Sequence, residues 1–265
     1  MNRAEVNRAE VNSAYFAPAL PRILAHRGLA LEAPENTLLA FLKALSIGVT
    51  HLETDVHASL DGIAVISHDE DLNRTAGRTE RIDQLTLAEL KRIDLGFGQS
   101  FSSLAEALDA FPNACFNVDL KSAAVVGPAV EAIRAARATN RVLVTSFSDR
   151  RRADAVRRLP GIATSASAVT FACALLAAKL GLGFLARRLL RRVQAVQVPE
   201  VVFGLSVITP RMVRTFHSAT VEVHVWTVNE PADMNRLLDL GVDGIITDRA
   251  DLALAVVRNR LINSD

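Results

Sequence analysis

From Arg22 onward, short apolar runs alternate with longer stretches in which apolar residues recur three and four apart. The first pattern is that of strands, the second that of helices with one buried face. Strands are predicted over 22–28, 50–59, 63–69, 114–121, 141–147, 161–166, 194–199, 221–228 and 244–248. Helical patterns fill most of the gaps. "PENTLLAFLKALSIG" has Pro34 near its start and Gly48 at its end, and "PADMNRLLDLG" runs from Pro231 to Gly241; proline early and glycine late is the usual asymmetry of helix ends. "SSLAEALDAF" and "VGPAVEAIRAARA" keep the helical period. "TLAELKRI" opens on Thr86 with Glu89 three residues on, a capping-box signature.

Such alternation implies a parallel sheet with helices packed outside it. Nine strands are one too many for an eight-stranded barrel. Only "LDG" separates Ser59 from Ile63, whereas a parallel crossover needs about a dozen residues. Asp61-Gly62 is a turn signal. Segments 50–59 and 63–69 are therefore expected to form an antiparallel hairpin, with residue 58 facing 63, 55 facing 66 and 53 facing 68. Eight barrel strands remain, and the predicted class is α/β, a (β/α)8 TIM barrel. A chain of 265 residues suits one such domain, here drawn as 21–258 between a poorly ordered N-terminal tail (1–20) and a C-terminal tail (259–265).

Charge and composition narrow the partners. The net charge of +1 argues against nucleic acid or membrane held by bulk charge. Cys115 and Cys173 each lie in an apolar run, and both are expected to be reduced core residues. The N-terminus repeats RAEVN and has no apolar run before Ala14, unlike a secretory signal, so a cytoplasmic protein is expected. "SASAVTFACALLAAKLGLGFLARRLL" is interrupted by Lys179, Gly181 and Gly183 and is too short and punctuated to span a bilayer. It divides into two helices, 168–180 and 184–193, the second carrying Arg187, Arg188, Arg191 and Arg192. The favoured reading of the second is an outer barrel helix with a solvated face; the alternative is a basic amphipathic helix lying on an anionic membrane. The first helix starts near the barrel mouth and offers an apolar rim for a lipid chain.

The chemistry concentrates at strand ends. Glu53 and Asp55, two apart on one strand, share a face. Carboxylates so aligned repel unless something positive lies between them, and a divalent cation with oxygen ligands is the economical answer. The hairpin brings His68 back toward this pair. His26 and Arg27 end the first strand, Asp119 and Lys121 the next barrel strand after the hairpin, Trp226 lies near the end of the seventh, and Asp248 closes the eighth. These ends converge on one mouth, where barrel enzymes do their chemistry. One cation on Glu53, Asp55 and Asp119 would act as a Lewis acid on an anionic oxygen. Arg27 and Lys121 add positive charge suited to a phosphate, and His26 and His68 offer an acid–base pair. Together they argue for cleavage of a phosphate ester. The chain has no glycine-rich nucleotide loop, which speaks against transfer from ATP.

The elements "AHRG", "APENT", "ETDV", "ISHD", "VDLK", "VHVWTVN" and "GVDGIITDRAD" occur in the order found in glycerophosphodiester phosphodiesterases, and the resemblance covers Ile23 to about Leu254. It implies a TIM barrel with a small insertion after the HD motif, here about 70–100, covering part of the mouth. It also implies hydrolysis of glycerophosphodiesters to sn-glycerol 3-phosphate and an alcohol with Mg²⁺ or Ca²⁺, through attack by the substrate's own glycerol hydroxyl and a cyclic phosphate that water opens. By that likeness His26 and His68 are the acid–base pair, and Glu53 and Asp55 are metal ligands. Asp119 stands where the family usually has glutamate, one methylene longer. Glu35 and Asn36 of the PENT element have either a structural role at the loop and helix start or a ligand contact. Trp226 is expected to line the glycerol pocket, the alternative being that it plugs the barrel. His51, His57, His217 and His224 match no catalytic motif. The alternatives are a lysophospholipase D acting on acylated substrates, a barrel that only binds a phosphorylated ligand, and a metal-dependent barrel enzyme of carbanion chemistry. The oligomeric state is left open.

Overall fold

The computed structural model describes residues 14–202 and 204–262. In chain order the strands are β1 (Arg22–His26), β2 (His51–Ala58), β3 (Ala64–Ile66), β4 (Cys115–Leu120), β5 (Val142–Thr145), β6 (Ala163–Thr164), β7 (Ala195–Pro199), β8 (Val201–Val202), β9 (Leu205–Ser206), β10 (Glu222–Trp226) and β11 (Gly244–Thr247). Eight of them pair in parallel in the order β6-β5-β4-β2-β1-β11-β10-β7. The ring closes where Ser165 bridges Ala195 and the amide of Ala166 donates to the Ala195 carbonyl at 3.0 Å. This is the expected (β/α)8 barrel, with β3 as the hairpin partner of β2 and a further small hairpin, β8–β9, that the sequence pattern did not show.

The helices are α1 (Leu38–Ser46), α2 (Asn73–Ala76), α3 (Leu87–Leu90), α4 (Leu104–Ala110), α5 (Val126–Ala135), α6 (Asp149–Arg158), α7 (Ala168–Lys179), α8 (Gly183–Leu190), α9 (Pro210–His217), α10 (Pro231–Asp239) and α11 (Ala250–Ile262). Thr37, Thr86, Ser103, Ser148, Ser167 and Thr209 cap six of them by accepting backbone N–H bonds, which supplies partners for first-turn amides. The main core lies between the strands' outward side chains, such as Leu52, Val118, Val144 and Val223, and inward helix residues such as Phe41, Val130, Met212 and Leu237.

Three expectations are corrected. The hairpin pairs Val56 with Ile66 and Ala58 with Ala64, one residue out from the predicted register. The cause is the turn: the Ser59 amide donates to the Ile63 carbonyl, leaving a three-residue loop whose last member, Gly62, has φ +75°. Glu53 and His68 are therefore not direct cross-strand partners. Second, chain assigned to the tails is packed: Ala14–Phe16 form a 3₁₀ turn with Tyr15 fully buried, and α11 continues to Ile262. The rest of those tails, 1–13 and 263–265, lies outside the described residues. Third, Cys173 is exposed, not core; Cys115 is buried as expected.

The insertion after the hairpin builds its own small core from Val65, Leu72, Ile82, Leu90, Ile93 and Phe101. It is tied to α1 by Gln99, whose side-chain oxygen accepts from the Leu39 amide.

A polar network lies at the N-terminal ends of the strands. Arg22 donates to both oxygens of Glu222, at 2.7 and 2.9 Å, and to the carbonyls of Pro18 and Phe16. His224 Nε2 lies 3.1 Å from Glu222, and His51 Nε2 2.8 Å from the Tyr15 carbonyl. Gly244 is required here: a Cβ on it would come within 2.7 Å of the His224 ring. Burial pushes the His51 imidazole down to about 4. Burial would raise the Glu222 carboxyl, but Arg22 and His224 override it and hold it at about 2.

Both groups withdraw stability in acid, in different windows. Unfolded, His51 takes a proton near pH 6.5, so its contribution is lost as pH falls from there toward about 4. Glu222 contributes fully above about 4.5 and loses its share as pH falls toward about 2. Denaturant titrations at pH 7 and pH 4 should show a fall in unfolding free energy that shrinks by roughly 2–3 kcal/mol in His51→Asn. An unchanged fall would mean that His51 is not the group responsible.

Candidate active site

The C-terminal strand ends surround a cavity of about 470 Å³. His26, Arg27, Glu53, Asp55, His68, Asp119, Lys121 and Trp226 all line it. The predicted constellation is thus gathered in one place despite the shifted hairpin.

Glu53, Asp55 and Asp119 are buried. They are neutralised unequally. Lys121 Nζ lies 2.8 Å from both Asp55 Oδ1 and Asp119 Oδ2. Asp55 Oδ2 faces Arg27 Nε at 3.4 Å and accepts from Asn36 Nδ2 at 3.2 Å. Burial would raise the Asp55 carboxyl, but Lys121 and Arg27 override it and hold it below the usual range. Burial wins at Asp119, whose carboxyl is raised although it shares Lys121. Among the described residues, Glu53 faces the Arg27 amide, at 3.1 Å, and His26 Nε2, at 3.9 Å. Burial, with Asp55 beside it, pushes Glu53 up to about 8. Lys121 is also raised, against its own burial: burial would lower it, and the two aspartates more than compensate.

Both expected catalytic histidines are anchored by carboxylates. His26 Nδ1 lies 2.6 Å from Asp248 Oδ1, and Asn229 holds Asp248 through its amide group at 2.9 Å. Burial works to lower the His26 imidazole, but Asp248 and Glu53 raise it overall. His68 Nδ1 lies 2.7 Å from Asp69 Oδ1. Asp69 is bound by Arg74, which also binds Glu35, and Glu35 in turn binds Arg27 at 3.0 Å. Glu35 therefore joins the insertion to Arg27. Asn36 acts differently: it is buried, accepts from Thr54 Oγ1 and donates to Asp55. The PENT element thus contacts the site's charged groups Arg27, Arg74 and Asp55.

Backbone geometry explains the HRG element. Arg27 and Gly28 have φ of 56° and 86°, which turns the Arg27 amide onto Glu53. At Gly28 a Cβ would fall 2.7 Å from the Ala40 backbone, so only glycine lets α1 pack this close.

Sequence reasoning gave no role to Asp248, Asn229, Asp69 or Arg74. Asp248 and Asp69 stood in quoted elements; that Asp248 meets His26 depends on strand pairing, whereas Asp69 meets its own neighbour His68. The opposite wall is apolar: Phe147, Phe171, Ala172, Leu175, Val202 and Val207, with Phe147 meeting the Trp226 ring edge-on at 6.1 Å.

Among the described residues, no three His, Cys, Asp or Glu side chains are drawn into a ready metal cage; the Lys121 ammonium stands between Asp55 and Asp119 instead. The donor chemistry nevertheless suits a hard cation. Asp119 Oδ1 is buried without a hydrogen-bond partner, and Glu53 is an under-compensated carboxyl.

Residues 26–252 match the model of the glycerophosphoryl diester phosphodiesterase family. The chain belongs to this family. A "probable glycerophosphodiester phosphodiesterase 2" of Mycobacterium tuberculosis is 44% identical over 231 residues, covering 86% of this chain and 88% of that protein. An Oleispira antarctica phosphodiesterase, solved with the product sn-glycerol-3-phosphate, is 25% identical, with a TM-score of 0.76 over 90% of this chain and 97% of that one. The structure of a "putative glycerophosphoryl diester phosphodiesterase" from Silicibacter pomeroyi, 23% identical, has the same fold, with a TM-score of 0.77 over 96% and 98% of the two chains. As a member of the glycerophosphoryl diester phosphodiesterase family the chain is a phosphoric diester hydrolase, which removes the reading as a barrel that only binds a phosphorylated ligand.

The Asp248 contact generates a measurable shift. Replacing it in Asp248→Asn removes the larger of the two carboxylate influences that raise His26, so burial is opposed by Glu53 alone. The His26 ring resonance in NMR should titrate at lower pH than in the wild type. An equal or higher midpoint would show that Asp248 does not control this imidazole.

Proposed function

We propose that the chain hydrolyses glycerophosphodiesters to sn-glycerol 3-phosphate and an alcohol, with His26 and His68 as the acid–base pair and one divalent cation, Mg²⁺ or Ca²⁺, on Glu53, Asp55 and Asp119. The observation that carries this reading is the pairing of two carboxylate-anchored imidazoles with three buried carboxylates in one cavity. The product-bound relative supports the substrate class. The two unpaired cysteines suit a reducing cytoplasm.

Each imidazole is held through Nδ1, so its Nε2 is available to a substrate. His26, kept readily protonated by Asp248, is suited to donating a proton to the departing alcohol oxygen. His68 takes the proton from the attacking glycerol hydroxyl. Arg27 and Lys121 place positive charge where phosphate oxygens gather negative charge. The bound cation would supply Lewis-acid stabilisation of a phosphate oxygen. Trp226 forms the boundary between this charged floor and the apolar wall.

That wall favours a second reading, lysophospholipase D action. Phe147, Phe171, Leu175, Val202 and Val207 offer a surface for an acyl chain that a small glycerophosphodiester does not need. Comparing turnover of glycerophosphocholine with that of lysophosphatidylcholine decides between them.

With glycerophosphocholine, His26→Ala and His68→Ala should each lower kcat by about 10²-fold or more. Full retention of activity in either would remove that residue from the mechanism. EDTA should abolish turnover and added Mg²⁺ or Ca²⁺ restore it. Because Glu53 holds a proton up to about pH 8, cation binding at pH 7 should release protons, read by calorimetry in buffers of different ionisation enthalpy. Glu53→Gln should remove that release; its persistence would clear Glu53 of the ligand role.

A further inference from the structure

Helix α7 breaks the rule that a barrel's outer helices turn polar residues to solvent. Its twelve residues, "AVTFACALLAAK", include only Thr170 and Lys179 as polar members. Ala174, Ala177 and Ala178 are buried, while Phe171, Ala172 and Leu175 line the catalytic cavity. The remaining side faces water and is also apolar: Val169 is 68% exposed and Leu176 59% exposed. The exposed apolar surface continues past the helix end with Leu180 at 65%, Leu182 at 50% and Phe184 at 73%. Contiguous apolar surface of this kind marks an interaction site.

The charge carried by this stretch of chain is of one sign. No Asp or Glu occurs between Asp154 and Glu200. Over that stretch the chain carries Lys179 and, on and just after α8, the exposed residues Arg187, Arg188, Arg191 and Arg192. An apolar ridge that runs into a cluster of exposed cations complements an anionic lipid surface, where side chains enter the acyl boundary and cations meet headgroups. A second copy of the chain is a poorer match, since a two-fold contact through this face would set like charges against one another. No helix among the described residues is long and apolar enough to cross a bilayer, so the contact would be interfacial.

We propose that the α7–α8 hairpin docks the protein on an anionic membrane, bringing the apolar wall of the catalytic cavity beside the lipid. α7 joins the two surfaces: one side carries Val169 and Leu176 outward, another carries Phe171 and Leu175 into the cavity. Exposed Phe147 on the cavity wall extends the same apolar rim. Docking is read without turnover and stands apart from the reaction assigned to the cavity.

The test is co-sedimentation of the full chain with vesicles of phosphatidylcholine alone and of phosphatidylcholine mixed with phosphatidylglycerol. Binding to the mixed vesicles should be about tenfold or more stronger and should fall with added salt. The double variants Leu176→Ser with Phe184→Ser, and Arg187→Glu with Arg188→Glu, should each weaken it by about tenfold while retaining the wild-type Tm. Failure of the wild type to bind mixed vesicles would overturn the proposal. So would unweakened binding in both folded variants. Conversion of a dimer to a monomer by Leu176→Ser with Phe184→Ser, with vesicle binding unaffected, would assign the face to a second copy instead.

Discussion

Glu53, Asp55 and Asp119 are carboxylates taken out of water at the same end of a parallel barrel, and their mutual repulsion is the constraint that orders the surrounding structure. Lys121 shared between the two aspartates, and Arg27 set against Asp55, offset part of that charge. Glu53 is left with a backbone amide and a histidine and is pushed toward protonation. A site built in this way is poised for a further positive partner, because the carboxylates' desolvation has been met by folding before any ligand arrives. The groups around the three acids either supply compensating charge or hold those that do.

This division explains why distant loops reach the mouth. The loop after β1 turns through left-handed geometry at Arg27 and Gly28, so that one residue contributes both an amide to Glu53 and a guanidinium to Asp55. Asn36 fixes Asp55 from the next turn. The insertion adds Arg74, and through Glu35 and Asp69 its position is coupled to Arg27 on one side and His68 on the other. Its separate apolar core holds Arg74 on a packed element instead of a free loop. At the opposite end of the barrel, Arg22, Glu222, His224 and His51 form a second polar network. The two ends use similar residue types to different effect. Below, a bidentate ion pair and hydrogen bonds satisfy the charges; above, burial leaves Asp119 Oδ1 and Glu53 incompletely met.

The apolar side of the mouth is equally specific. Trp226 meets Phe147 in the cavity that the acids also line, and α7 supplies Phe171 and Leu175. Cys173 illustrates the consequence for α7: its apolar neighbours suggested a core position, yet it lies on the outward face. A helix apolar on every side gives no periodic signal for which side is buried.

Period and punctuation along the chain determined the strand–helix alternation, the eight-strand count and the hairpin, because these depend on neighbours within a few residues. The order of the motifs also identified His26, Arg27, Glu53, Asp55, His68, Asp119, Lys121 and Trp226 as one group, since parallel strands necessarily deliver their C-terminal ends to one rim. Tertiary structure alone decided the rest. The register of the hairpin turned on one loop residue, Gly62. The carboxylate that anchors His26 and the ion pair that ties the insertion to Glu35 depend on which loops meet: Asp248 lies 222 positions from His26, and Arg74 lies 39 from Glu35. The protonation of the three acids depends on burial and on partners shared across strands. Local periodicity carries no information about these through-space distances, and they set the electrostatics of the site.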